Sequence, residues 1–284
     1  EADLAGTANY ANKAKIAQNV VNENLLINGD FKINQRGKTT AGYDSYFVDR
    51  WKTRYNNPDF TIIKQNDDKS IHMESSNEMW PYLLQILDVE LSNYLKKKKV
   101  TLSYKVKNVV NEKQTKPQFA IETKTGINYV AIIWSEFSED GVYHMTMDIP
   151  EDYDNLVIRT SCSPYASYDV EWVKLELGDQ ATDFVPKSPV QELEECKRYY
   201  QIFKDTYGTA DNPTYIGSLY SVSEMSCYMQ IDLPVSMRVV PTRVTETLSY
   251  KYMLNTAQAF TSITFARNDN MINKLKLYGE GSFV

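Results

Sequence analysis

Apolar and polar positions alternate with a period of two along much of the chain. Val100, Leu102, Tyr104 and Val106 interleave with Thr101, Ser103, Lys105 and Lys107. Tyr143, Met145, Met147 and Ile149 interleave with Val142, His144, Thr146 and Asp148, and Val173, Leu175 and Leu177 with Lys174 and Glu176. Successive strand side chains point to opposite faces, so each run predicts a half-buried strand. Further strands are predicted at 46–53, 60–65, 83–91, 118–123, 129–137 and 156–160. Polar turn signals separate them, among them Asn56-Asn57-Pro58, Asn66-Asp67-Asp68 and Glu139-Asp140-Gly141. Short strands, polar turns and no helical interludes predict a mainly β chain, with an antiparallel jelly-roll sandwich over 24–186.

The pattern breaks at Pro186-Lys187-Ser188-Pro189. Ser188-Pro189-Val190-Gln191 has the form of a capping box, with Ser as N-cap and Pro at the first helical position. Acidic Glu192, Glu194 and Glu195 precede basic Lys197 and Arg198, an order that complements the helix dipole. A connector helix is therefore predicted over 187–204. Leu193, Cys196, Tyr200 and Phe203 would form one narrow stripe, and Leu193, Tyr200 and Phe203 become candidates for an oligomer interface. Strand-like segments at 214–222, 227–233, 243–250, 260–266 and 274–278 predict a smaller C-terminal β head over 205–284. Its modest core favours association.

Residues 1–23 differ again. Ala2, Ala5, Ala8, Ala11, Ala14, Ala17 and Val20 recur every third position. An α-helix would rotate such a stripe around its surface. The segment reads either as the end of a fibre shaft with about three residues per turn or as an Ala/Asn-rich linker. Glu1 in place of Met reads as the start of a piece cut from a longer chain.

Charge narrows the functional classes. The 284 residues carry a formal net charge of -6, which disfavours a nucleic-acid partner. The one basic run, 96–99, reads as a solvated hairpin turn. No apolar run is long enough for membrane insertion, and no signal peptide is visible. Cys162, Cys196 and Cys227 are distant and odd in number, which predicts reduced thiols, neither a disulfide framework nor a zinc site. This fits a protein made in cytoplasm, even one that later works outside a cell.

No nucleotide-binding, serine-hydrolase or zinc-protease motif occurs, and the two histidines, His72 and His144, offer no triad. The chain is therefore expected to be non-enzymatic, with no cofactor. Binding chemistry is better represented: 21 Tyr and 4 Trp supply flat rings with polar handles. Met79-Trp80-Pro81-Tyr82 reads as a sugar-stacking platform, or as a turn whose Trp covers a sheet end. Tyr165 and Tyr168 are second candidates for ligand contact. Trp51, Trp134 and Trp172 read as structural. Asp30 and Asp169, at the two ends of the sandwich in sequence, are candidates for a structural calcium site or are exposed loop aspartates.

Several stretches carry a family likeness. Asn24 to Gly37 (NLLINGDFKINQRG) with Asp49-Arg50-Trp51 resembles the opening of β-sandwich domains in bacteriophage and prophage tail-fibre proteins, and of jelly-roll carbohydrate-binding modules. Leu84-Gln85-Ile86 and the 99–104 segment resemble their middle strands. Lys174-Leu175-Glu176-Leu177-Gly178, Ala181-Thr182-Asp183-Phe184 and Cys196-Lys197-Arg198-Tyr199-Tyr200 resemble the junction where such a sandwich passes through a helix into a C-terminal domain. The resemblance implies a receptor-binding component of a virion tail, joined to an upstream shaft. It also implies a homotrimer that attaches to a host cell-surface glycan. It supplies no catalytic residue. A tail spacer without a receptor site and a carbohydrate-binding accessory module of a secreted enzyme remain as alternatives.

Overall fold

The computed structural model describes residues 22–201, 218–223, 226–238, 252–254, 256–258, 262–265 and 274–280. The chain divides into two compact units, Glu1–Glu192 and Leu193–Val284.

The first unit holds ten strands: β1 (Lys52–Arg54), β2 (Thr61–Gln65), β3 (Ile71–Ser75), β4 (Tyr82–Ile86), β5 (Lys99–Asn111), β6 (Gln118–Thr125), β7 (Asn128–Glu136), β8 (Gly141–Asp148), β9 (Asn155–Ser161) and β10 (Ala166–Leu177). They form two antiparallel five-stranded sheets, β1-β4-β9-β6-β7 and β2-β3-β10-β5-β8. This is the jelly-roll-like sandwich expected from the alternation. Inward residues of both sheets make one core, where Tyr104 stacks on Phe119 at 3.8 Å and Phe137 meets Tyr168 edge-on at 4.9 Å.

Two sequence expectations fail here. The 83–91 segment is not one strand: β4 ends at Ile86 and α1 (Val89–Leu95) begins. Asp88 caps α1 by accepting the Leu91 N–H at 2.8 Å, a capping signal hidden inside an apolar run. The 96–99 basic run is therefore the exit of α1, not a hairpin tip. Lys98 Nζ sits 3.0 Å from the Tyr94 ring centroid, and Lys97 pairs with Glu151 at 2.5 Å. β3 was not expected at all; Ile71, Met73 and Ser75 face in, while His72 and Glu74 face out.

The Asn28-Gly29-Asp30-Phe31 motif is a structural hub. Asn28 adopts a left-handed φ of 59°, and its side chain closes a loop with Ile33 N–H at 2.9 Å, Ile33 O at 2.8 Å and Asp49 O at 2.9 Å. Asn28 O accepts the indole N–H of fully buried Trp51 at 2.8 Å. The leading segment then runs beside the end of β10, with Leu25 N–H on Leu175 O and Val173 N–H on Gly29 O, both 2.8 Å.

After β10 the chain folds back over the outer face of its own sheet. Lys174 and Glu176 form an ion pair of 3.2 Å although both are buried. Thr182 satisfies both: its Oγ1 accepts from Lys174 Nζ and donates to Glu176 Oε2, each at 2.6 Å. Phe184 stacks flat on Trp172 at 4.7 Å. A buried pair needs its remaining donors and acceptors filled. That requirement gives the Lys174-x-Glu176…Thr182-Asp183-Phe184 sequence its physical meaning.

Helix α2 spans Pro189–Lys197, with Ser188 Oγ accepting the Gln191 N–H at 3.2 Å. It ends before the predicted boundary. Tyr200 therefore lies beyond the helix, and Phe203 falls outside the described residues, so the expected four-residue stripe is not one helical face. Within it, Leu193 is half-buried and Cys196 buried. Glu192 is buried, and its carboxylate accepts the Asn28 N–H.

The second unit contains a four-stranded antiparallel sheet, β11 (Ser218–Ser223), β12 (Ser226–Asp232), β16 (Lys274–Glu280) and β15 (Ser262–Phe265) in that order. A separate hairpin pairs β13 (Tyr252–Leu254) with β14 (Thr256–Gln258). The period-three N-terminus and the strand expected at 243–250 lie outside the described residues.

Candidate functional site

The outer face of the sheet β1-β4-β9-β6-β7 gathers the groups suited to binding. Register places its residues in rows. One row runs Trp134, Ala120, Arg159, Leu84, Lys52; the next runs Glu136, Gln118, Ser161, Tyr82, Arg54. Their neighbours in sequence, such as Phe119, Ile158 and Leu83, point into the core. The alternation of β6 (QFAIETKT) and β9 (NLVIRTS) thus sends aromatic and aliphatic residues inward and Gln118, Glu122, Lys124, Arg159 and Ser161 outward.

The middle of this face is a floor of small and aliphatic side chains. Leu84, Ala120 and Val157 are buried yet stand apart from the inter-sheet core cluster. Aromatic walls rise on either side. Trp134 on the edge strand β7 is 56% exposed. Across the floor, Tyr82 on β4 meets Tyr55 edge-on at 5.3 Å. Three strand spacings of about 4.8 Å separate β7 from β4, so the walls stand roughly 14 Å apart. Tyr55, which meets Tyr82, holds a left-handed φ of 57°, a conformation with a backbone cost for a bulky residue. Tyr129, 54% exposed, closes the β7 side.

Arg159 is the polar centre. Its Nε donates to Glu122 Oε1, its Nη1 donates to Ser161 Oγ, and its guanidinium carbon lies 4.3 Å from the Tyr82 ring centroid. Glu122 Oε2 lies 2.7 Å from Lys124 Nζ, without hydrogen-bond alignment. Lys124 also sits 4.5 Å from the Tyr129 ring centroid. Burial pushes the Tyr82 phenol above its ordinary range. Arg159 opposes that rise, while Tyr129, Glu122 and Tyr55 add to it. The arrangement offers flat apolar rings for stacking and buried, pre-set hydrogen-bonding groups between them.

The expected site residues separate. Tyr82 stands on this face. Trp80 is half-buried in the loop just before β4, and Pro81 O accepts the Cys162 N–H at 3.1 Å. That bond joins the Trp80 loop to the β9–β10 turn carrying Tyr165. Lys113 links the same two loops, pairing with Glu78 at 2.5 Å and lying 3.8 Å from the Tyr165 ring centroid. Tyr168 is a correction: it is fully buried between the sheets, its hydroxyl 2.6 Å from Thr160 Oγ1, and no ligand can stack on it. Trp134 is the opposite correction, an expected core residue that is exposed. The strand period alone gives its face; the sequence offered no sign of which sheet edge β7 would occupy.

Asp30 and Asp169 do not make a common site. Asp30 pairs with Lys32 at 2.7 Å, whereas Asp169 bonds His72 and Asn108, each at 2.7 Å. Among the described residues no group of three or more His, Cys, Asp or Glu is arranged to hold a metal ion. No helix among them is long and apolar enough to cross a membrane.

No protein-family profile matches the chain, and no curated protein matches it. Solved structures similar to it include the enzymatically active domain of bacteriophage CBA120 tailspike protein 4, at 17% identity and TM-score 0.34. That similarity covers 55% of this chain and only 21% of the tailspike chain. A family 16 carbohydrate-binding module has 12% identity and TM-score 0.37, covering 54% of this chain and 99% of its own. The xylan-binding CBM22-1 domain of Paenibacillus barcinonensis Xyn10C has 15% identity and TM-score 0.33, covering 57% and 98%. Likenesses of this size assign no residue and no activity, and the sandwich is described by its own strand pairing.

Proposed function

We propose that the outer face of β1-β4-β9-β6-β7 binds a saccharide. The observation that carries the reading is the exposed Trp134 ring opposite the Tyr82–Tyr55 pair, with Gln118 and Arg159 between them and Arg159 held in place by buried Glu122 and Ser161. Sugar rings present apolar C–H faces and hydroxyl rims, and a stacking wall beside fixed polar groups matches both. Binding without chemistry is the proposed role. The chain would act as an adhesin, in the setting of a virion tail to which its Asn24–Gly37 and Lys174–Tyr200 motifs are similar.

Trp134→Ala tests the site, because an exposed ring can be removed without disturbing the core. Saccharide binding, read on an oligosaccharide array and by calorimetry, should fall at least tenfold with the melting temperature unchanged. Unaltered binding would place the site elsewhere. Attachment of the intact protein to bacterial cells tests the adhesin role, and light scattering tests the trimer. A protein that binds no cells would be left as a tail spacer. A monomer that binds polysaccharide would fit an accessory module instead.

A further inference from the structure

Resting on the saccharide reading, we infer that the ligand is an anionic saccharide, one whose carboxylate or sulfate group docks between Arg159 and Lys124. Two cations converge on one buried carboxylate there. Glu122 accepts from Arg159 through Oε1 and faces Lys124 through Oε2 at 2.7 Å. Arg159 and Glu122 are both buried, and the Lys124 side chain is 20% exposed. The cluster therefore holds one positive charge more than it neutralises, within a protein whose net charge is -6. An unmatched charge costs most where water is scarce, and a ligand anion would remove that cost.

The other charges on the face do not supply the missing anion. From β1, Lys52 and Arg54 share Asp44, at 3.1 and 3.6 Å, where water reaches all three side chains. β4 contributes no charge to the rows. From β7, Glu136 is exposed, where water and salt screen it. Arg159 also keeps a donor available. Nε and Nη1 are engaged, whereas Nη2 makes no hydrogen bond among the described residues and is not sealed from the surface. The planar guanidinium suits a two-oxygen acceptor. Its ring contact with Tyr82 and the Lys124 contact with Tyr129 put this spot between the stacking walls. One ligand could then stack and pair at once.

The test compares saccharides that differ only in charge: a hexamer of galacturonate against its methyl ester, and a heparin hexasaccharide against its desulfated form. Titration calorimetry on the full chain, at low and at high salt, should give at least tenfold tighter binding for the charged member of at least one pair. Which pair discriminates tells a carboxylate from a sulfate. The preference should shrink with added salt. Lys124→Gln, at the edge of the cluster, should cut the charged-over-uncharged preference to less than threefold. Arg159→Gln should abolish the preference as well and, because Arg159 stands inside the proposed site, should also weaken binding of the uncharged member; circular dichroism will report whether it folds. Equal affinity within both pairs would overturn the anionic assignment alone. So would a preference untouched by Lys124→Gln. No binding by any of the four, with Trp134→Ala indifferent on the wider array, would overturn the saccharide reading and this inference with it.

Discussion

His72 Nδ1 lies 2.7 Å from Asp169 Oδ1, the two being register partners on β3 and β10 across the outer face of the second sheet. The Asp169 bond raises the His72 pKa above its ordinary value against the opposing effect of burial. Burial pushes the Asp169 carboxyl up, but hydrogen bonds from His72 and Asn108 outweigh it and hold the pKa low. The raised histidine stabilises the fold fully below its unfolded pKa of about 6.5, and that contribution is lost as pH climbs through the folded value. The lowered aspartate stabilises above about 3.8 and loses its effect as pH falls through its folded value. Both contributions are present together between those limits. The melting temperature of His72→Gln should therefore trail the unaltered protein by more at pH 5.5 than at pH 8.5. The difference should be about 2–4 °C, the size expected of ~1 kcal/mol in a domain this large. Equal gaps at the two pH values would remove the charge effect.

Thr182 joins Lys174 to Glu176 from outside the sheet. Thr182→Val keeps the shape and removes the hydroxyl, which leaves a buried ammonium and a buried carboxylate each short of a partner. Denaturant titration should show a loss of about 1–3 kcal/mol. The same change at exposed Thr125 is the control and should cost within about 0.5 kcal/mol.

Gly29 is fixed by proximity. A Cβ there would stand 2.4 Å from both Asn24 Nδ2 and Val173 O, and the second of these is backbone. Gly29→Ala should destabilise by about 1–3 kcal/mol through overpacking. Gly126 differs: its φ of 59° strains any side chain, but no atom lies within 4 Å of the added Cβ. Gly126→Ala should cost about 1 kcal/mol. Chemical denaturation of both variants checks the order, and a larger loss at Gly126 would contradict the packing argument.

Tyr168 and Trp134 should exchange the roles that their sequence contexts suggest. Tyr168→Phe removes a buried hydroxyl that bonds Thr160 and approaches Met73 Sδ at 3.3 Å. It should cost about 1 kcal/mol of stability and leave saccharide binding intact. A variant that kept its stability but lost binding would restore Tyr168 as a ligand residue.

Much of the sandwich was readable because a half-buried strand writes its burial into alternate residues. β8 follows that rule closely, whereas β5 and the end of β10 alternate in residue type while Thr101, Ser103, Lys174 and Glu176 on their polar phase are buried too. α1 was missed because Leu87, Leu91 and Leu95 extend the apolar run of β4, and its cap, Asp88, is a single residue within it. The candidate site was harder. Trp134 belongs to an alternating strand like any other, and its exposure depends on β7 being an edge, which is a matter of topology. Arg159 and Glu122 lie 37 residues apart and meet only because β9 pairs with β6. No local pattern announces a contact of that kind. The end of the alternation near Pro186 is visible in the sequence, but the Thr182 bridge that precedes it requires the chain to turn back over the sheet.

The adjacency of the leading segment and the end of β10 has a mechanical consequence. Tension applied to the chain on either side of the sandwich enters near Asn22 and leaves near Lys187. Between those points lie the Leu25–Leu175 bond, the Asn22 side-chain bond to Leu177 O at 3.2 Å and the Thr182 bridge. The force is carried across that one corner and does not cross the aromatic face. A tethered copy pulled from both sides would yield first at this corner, while Trp134 and Tyr82 kept their spacing under load.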